Sequence, residues 1–419
     1  MKWANALSSR PSLEAAVEDV IQQTQTALGT SADLAIVFIS NAYASEFTRL
    51  MPLLRERLQV PHLIGCGGNG IIGIPPNGTV AEIEEDPAIA LTLAQLPGVK
   101  IHPFHISGDD LPDPDSPPQR WVDLMGIDPA DNPQFVLLAD SSTAKVKDLL
   151  QGLDYAYPAA AKIGGLTSGS SMFGGSALFC DFQLHRIGTI GLALSGNIVL
   201  DTIVAQGCRP IGPVYRVTEA ERHIALKVEV VLSAMADQRQ GGEWESEGVM
   251  TPLEALEEVL DNLEDRDREL AQQALSVGIA STEFKQTLGP GDFLIRDLIG
   301  VDPKVGAIAI GDRIRSGQRI QFHLRDAQAA ADELENLLLR YCSNLKTGEA
   351  SPAGSLVFDC LGRGERFYGV PNVDSQLLRQ YFPQIPLAGF FCFGEIGPIG
   401  GATYLHGYTA AFGIFRSLA

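Results

Sequence analysis

Residues 385–415, IPLAGFFCFGEIGPIGGATYLHGYTAAFGIF, decide the fold, because an apolar run enters a glycine-studded segment and leaves through a second apolar run. Residues 385–393 are too few and too rich in phenylalanine for a free helix, so they predict a buried strand. Gly394, Gly397, Gly400 and Gly401 then predict a loop in which the backbone turns sharply or comes close to a bound group. One carboxylate, Glu395, stands inside it. Two readings follow: a buried hairpin whose glycines only turn the chain, or a ligand loop in which Glu395, flanked by Gly394 and Gly397, is the contact.

Just upstream, residues 355–360 predict a short strand that ends in LGRG, and residues 373–382 a helix. Cys360 and Arg363 are thereby placed at a strand end, as is His406 further on. A cysteine can serve as a nucleophile when a base and an oxyanion donor lie within reach, but a free cysteine at a strand end is commonly a small buried hydrophobe. Arg363, between two glycines, can grip a carboxylate through two parallel hydrogen bonds. With Glu395 it would read a zwitterion, the carboxylate facing an ammonium and the guanidinium a carboxylate. His406 and His62 each read as a structural histidine bonded to a backbone carbonyl or, more sharply, as an axial haem ligand.

Along the rest of the chain, helices are expected at 12–28, 45–58 and 142–153, and strands at 34–40, 62–66 and 135–139. Residues 88–96 and 99–106, joined by Pro-Gly, predict a hairpin. The proline-rich residues 109–120 predict an exposed loop, and residues 236–250 a polar loop or insertion. Thr251, Pro252 and Glu254 form a capping box that starts a helix. Strands follow at 275–280, 293–299, 307–310 and 319–324, and Asp326 caps a helix to about 345. Gly65, Gly67 and Gly70 satisfy GxGxxG, yet no acidic strand end follows about 20 residues on, so a dinucleotide site is rejected. Strands grouped with interspersed helices predict an α+β fold with mixed or antiparallel sheets.

At 419 residues the chain exceeds the roughly 250–300 that one core supports. Two domains are expected, 1–212 and 213–419, with GCRPIGPVYRVT (207–218) as the proline-stiffened exit. Helix, proline, short apolar strand and glycine loop recur three times, in RERLQVPHLIGCGG, DYAYPAAAKIGG and RQYFPQIPLAGFFCFGE. This pattern predicts equivalent positions in two related α/β modules.

With 31 basic against 51 acidic residues, the net charge of −20 repels nucleic acid and anionic lipid alike. The six cysteines include no pair at zinc-knuckle spacing, so no structural metal is expected. Neither a secretory signal nor a run of about 18 apolar residues is found, which predicts a soluble, reducing, cytoplasmic setting.

At these residues the chain resembles the FIST family of sensory proteins. The resemblance rests on FLIRDLIGVDPKVGAIAIGDRIRSGQRIQFHLRD, GSLVFDCLGRG and PLAGFFCFGEIGPIGGATYLHGYT in the C-terminal half, and on LIGCGGNGIIG, IGGLTSG and GCRPIGPVYRVT in the N-terminal half. It implies a non-enzymatic input module for small molecules such as amino acids, with haem and nitric oxide sensing in some members. On that reading Gly164, Gly165 and Asn69 join Glu395, Arg363, Gly394, Gly397, Cys360 and His406 as ligand contacts, and a separate signalling partner carries the output. Two departures stand out. The first glycine loop has Gly67, Gly68, Asn69 and Ile71 where the family usually has small hydroxyls and an acid, and no F-box, kinase, cyclase or phosphodiesterase segment accompanies the pair. The alternatives are a haem sensor using His406 or His62, and a thiol enzyme using Cys360.

Overall fold

A strand that reads as an unbroken apolar run needs cover on both faces, and LAIVFIS at 34–40 is buried at all seven positions. The architecture provides such cover three times over. The computed structural model describes residues 1–142, 145–169, 175–231, 248–289, 291–345 and 349–418. These divide into two units: residues 1–205, 334–398 and 402–419 form the first, residues 206–333 and 399–401 the second. The division expected at 212/213 cuts the chain once, whereas in the structure the C-terminal residues return to the first unit.

The first unit is a threefold repeat. Its first copy runs β1 (Lys2–Ser8), α1 (Leu13–Leu28), β2 (Leu34–Ser40), α2 (Phe47–Arg57), β3 (His62–Gly68), the short strands β4 (Ile71–Gly73) and β5 (Ala81–Ile83), and β6 (Ile89–Gln95). The second repeats that order: β7 (Val99–Ile106), α3 (Pro118–Met125), β8 (Gln134–Ala139), α4 (Val146–Ala156), β9 (Lys162–Leu166), β10 (Leu178–Cys180), β11 (Gln183–His185) and β12 (Thr189–Gly196). The third opens with β13 (Val199–Ala205). The second unit then intervenes, with strands β14 (Cys208–Glu221) and β15 (Ile224–Val230), helices α5 (Pro252–Asp261) and α6 (Asp265–Ala274), and strands β16 (Leu275–Ala280), β17 (Phe293–Asp302), β18 (Ala307–Ile310) and β19 (Arg319–Arg325). The third copy resumes as α7 (Ala327–Asn344), β20 (Gly354–Cys360), the single turn α8 (Glu365–Tyr368), α9 (Val373–Tyr381), β21 (Leu387–Cys392), β22 (Gly394–Ile399), β23 (Ala402–His406) and β24 (Ala410–Arg416).

Each copy centres on a parallel strand pair joined through a helix, β2 with β3, β8 with β9 and β20 with β21. The two short strands that follow each pair do not stay in their own sheet. β4–β5 adds to β21, β10–β11 to β3, and β22–β23 to β9, so the exchange closes a cycle among three six-stranded sheets of the same strand order. One inner core draws on all three sheets, with Phe38, Phe358 and Phe390 ring centroids 5.2–6.4 Å apart. Outside, α1 and α2 cover the first sheet, α3 and α4 the second, and α7 and α9 the third. Register confirms the equivalence. Gly65, Gly164 and Gly389 lie opposite Val37, Leu137 and Val357, and a Cβ on each would stand 2.0, 1.8 and 2.0 Å from the facing carbonyl oxygen.

The α+β class with mixed sheets holds, but the thrice-recurring pattern marks three repeats inside one unit, not two related halves. The hairpin expected at 88–106 does not form, since β6 lies between β1 and β2 while β7 pairs over eight residues with β12. Nor are Gly394 and Gly397 in a loop: they belong to β22, and only Gly400 (φ 61°) and Gly401 (φ 89°) make the turn.

In the second unit six strands close a barrel in the order β14-β15-β18-β17-β16-β19 around an apolar core. GCRPIGPVYRVT is therefore mostly strand, and Pro213 falls in the register shift between Ile211 and Tyr215, where no ladder bond is lost. The capping box and the cap read from sequence are present: Thr251 Oγ1 accepts from Glu254 N and Glu254 accepts from Thr251 N, while Asp326 accepts from Ala329 N. Of the loop expected at 236–250, residues 236–247 lie outside the described residues.

Candidate functional site

Among parallel strand pairs, ligands gather at the carboxyl ends, where the ladder stops and backbone groups are free. In the first unit the ends of β3, β9 and β21 meet. Ser168, just past β9, donates from Oγ to the Phe391 carbonyl (2.6 Å) and accepts from Asn69 N (2.7 Å), while Asn41 donates to the Asn69 side chain and to the Ser168 carbonyl. Asn69 is exposed and tied to this seam.

At the same end the third copy departs from the other two. Register sets Glu395 opposite Gly165, Ile71 opposite Phe390 and Leu178 opposite Cys66, so Glu395 occupies the position that is isoleucine and leucine elsewhere. It is fully buried. The other two copies use a residue at the carboxyl end of the first parallel strand to bind the backbone across from it: Ser40, the last of β2, accepts at Oγ from Ala88 N at 3.0 Å, and Asp140, just past β8, accepts at Oδ2 from Gly188 N at 2.7 Å. The third copy has Cys360 there, and Glu395 Oε2 accepts from Thr409 N at 3.1 Å instead. Its other oxygen, Oε1, has no donor in hydrogen-bond geometry, although the Cys360 thiol stands beside the carboxyl group. Burial pushes the Glu395 carboxyl well above the usual carboxylate range, partly offset by the Thr409 amide. Burial and then the nearby Glu395 charge push the Cys360 thiol far up, so the thiol is held in its protonated form.

Arg363 lies within the same cluster but is committed. Nε donates to Asp374 Oδ2 (2.9 Å) and Nη2 to Asp374 Oδ1 (2.8 Å), Nη1 reaches the Tyr408 carbonyl (3.3 Å), Nη2 also meets the Tyr368 hydroxyl, and Asp359 stands 3.3 Å away. The open fork expected of this residue is thus closed by Asp374. Three buried carboxylates, Asp359, Asp374 and Glu395, face this one guanidinium, and a fourth, Glu82, stands beside Asp359 and Asp374. Burial raises Asp359 well above its ordinary value and the Asp374 charge adds to it, while Arg363 opposes; burial likewise lifts Glu82 to about 7.

The glycines pack strands closely. A Cβ on Gly165 would meet Cys392 Sγ at 2.3 Å, one on Gly397 would meet Val204 at 2.6 Å, and one on Gly394 would crowd Leu405 and Leu166. Leu361, Phe393 and Tyr408, the chain neighbours of Cys360, Gly394 and Thr409, supply an apolar rim, 38%, 66% and 39% exposed. Tyr408 holds φ 56°, and its ring fills the space over Gly362.

His406 does not fit a haem axial ligand: it is buried, with Nε2 3.0 Å from the Gly397 carbonyl. His62 starts β3, at the opposite end of that strand, beside Asp181. Among the described residues no group of His, Cys, Asp and Glu has the geometry to hold a metal ion, and no helix is long and apolar enough to cross a membrane. Sequence reasoning missed Asp359, Asp374, Glu82 and Thr409. Only Asp359 left a signal, as the one charge within the apolar run LVFDC.

Comparison with known proteins agrees with the sequence resemblance. The FIST N domain matches residues 33–229 and the FIST C domain residues 252–398. "Uncharacterized protein MT0656" of Mycobacterium tuberculosis is 31% identical over 99% of this chain and 100% of its own length. "Uncharacterized protein Mb0898c" of Mycobacterium bovis is 32% identical over 96% and 95%. The "F-box/LRR-repeat protein At5g63520" of Arabidopsis thaliana is 27% identical over 74% of this chain and 61% of its own length. With both domains present in order and relatives matched end to end, this chain belongs to the FIST family, a family of signal-transduction sensor domains.

Proposed function

We propose that the protein is a non-catalytic input module that binds a small metabolite at the strand ends of its first unit, with Glu395 as the polar anchor. One observation carries this reading: a fully buried carboxylate oxygen without a hydrogen-bond donor, at a position that the other two repeats fill with Ile71 and Leu178. An acid is costly there unless something arrives to pair with it. The metabolite offers a nitrogen donor to Glu395 and lays its apolar part under Leu361, Phe393 and Tyr408; amino acids and related amines have that form. Binding reorders the Gly407–Thr409 backbone that covers the acid, and a separate partner protein reads the change. The protonated Cys360 thiol supports a sensor over a thiol enzyme.

Native mass spectrometry of freshly purified wild type and Glu395→Gln tests the assignment. A small molecule should be retained by wild type and lost, or held at least tenfold more weakly, by the variant. Equal retention by both proteins would remove Glu395 from the site.

A further inference from the structure

We propose that the ligand at Glu395 is a small primary amine bearing an apolar group and lacking an α-carboxylate, and that it enters by displacing a proton from the cluster. This deepens the ligand-binding reading above and rests on it.

Charge and geometry carry the argument. The groups that face one another here are Glu82 from β5, Asp359 and Cys360 from β20, Arg363 from the following loop, Tyr368 from α8, Asp374 from α9, Cys392 from β21 and Glu395 from β22. The four carboxylates among them have one cation, and that cation is bound at two points by Asp374. Desolvated acids so placed cannot all be ionised, so the cluster holds protons at neutral pH. A ligand carboxylate would find no free guanidinium and only acids beside it. An ammonium, in contrast, supplies the missing donor at Glu395 Oε1 and the missing positive charge. The rim of Leu361, Phe393 and Tyr408 suits a hydrocarbon or aromatic tail, and an aromatic face also favours a cation.

The exchange balances without a co-reactant: the Glu395 carboxylic acid and an alkylammonium become a carboxylate–ammonium pair, and one proton goes to solvent. No covalent bond to carbon changes. Glu395→Gln keeps the size of the side chain and an oxygen for the Thr409 amide, so it removes the acid and spares the fold.

Isothermal titration calorimetry of the full chain with phenethylamine, phenylalanine and 2-phenylethanol, in buffers of different ionisation enthalpy, distinguishes the possibilities. The amine should bind at least tenfold more tightly than the amino acid or the alcohol, releasing about one proton per ligand at pH 7. In Glu395→Gln both the preference and the proton release should vanish. Equal or tighter binding of phenylalanine, or amine binding without proton release, would overturn the amine assignment while leaving Glu395 as a ligand anchor. Amine binding that survives unchanged in Glu395→Gln would overturn the assignment and the anchor together. No binding by the amine, while wild type retains another small molecule that Glu395→Gln loses, would overturn the amine alone.

Discussion

Arg363 and Asp374 lock together through two parallel hydrogen bonds, 2.9 and 2.8 Å long, with both side chains only 1% exposed. A guanidinium buried this deeply keeps its charge because the carboxylate matches its fork, and Asp359 adds a second negative neighbour. Removing either partner strands the other in a dry interior. Arg363→Ala and Asp374→Ala should each lower unfolding stability by about 3–5 kcal/mol. Arg363→Lys should recover little, since an ammonium cannot reproduce the two-point contact. Urea denaturation at neutral pH measures all three, and a lysine variant as stable as wild type would disprove the two-point pairing.

The three glycines that seat against a neighbouring carbonyl give a test of the repeat itself. Gly65→Ala, Gly164→Ala and Gly389→Ala each force a methyl group to within about 2 Å of backbone oxygen that has no room to retreat. Each should cost at least about 2 kcal/mol, and the three costs should agree within about 1 kcal/mol, because the same close approach is involved. Gly300→Ala, where a Cβ meets nothing within 4 Å, should stay within about 0.5 kcal/mol of wild type. A cheap substitution at any one of the three would break the equivalence.

What was legible in the sequence is local. The capping box at Thr251 and Glu254 and the cap at Asp326 involve neighbours three residues apart, and the chain signals them directly. Apolar runs such as 34–40 announce buried strands for the same reason. What was not legible is pairing at long range. Nothing in FFCFGEIGPIGG says that residues 394–399 leave their own sheet to join β9, so glycines that pack strands read as glycines that turn a loop. The site shows the same division. Glu395 and Arg363 stand out as charges in apolar, glycine-rich surroundings, but Asp374, which closes the Arg363 fork, reads as an ordinary first-turn helix acid. Glu82 comes to Ser375 from 293 residues away.

Cys360 should resist alkylation. Cys360 is 7% exposed and its thiol is held protonated by burial. Iodoacetamide at pH 7.5 should label the more exposed Cys342 well before Cys360, as peptide mapping against time would show. Glu395→Gln should leave Cys360 labelling slow, because burial, the leading cause that opposes the thiolate, is unchanged. Fast stoichiometric labelling of Cys360 in wild type would reopen a nucleophilic role.

Glu82 makes stability depend on pH in a direction opposite to the usual acid unfolding. Its carboxylate is 8% exposed and accepts from Ser375 N at 3.0 Å, while its own amide donates to Asn372 Oδ1 at 2.6 Å. Burial raises its pKa from 4.5 to about 7, the Ser375 bonds opposing and the Asp374 charge adding. The folded chain therefore binds this proton more tightly than the unfolded chain does. The resulting stabilisation is complete below about pH 4.5 and is lost as pH rises through about 7. A shift of this size corresponds to about 3 kcal/mol. Glu82→Gln keeps an oxygen for Ser375 and cannot titrate, so its stability relative to wild type should rise by about that amount between pH 5 and pH 8. Urea midpoints of both proteins across that range give the comparison, in which the general effect of the −20 net charge cancels. A stability difference that stays flat with pH would mean that Glu82 is ionised throughout and that the cluster holds its protons elsewhere.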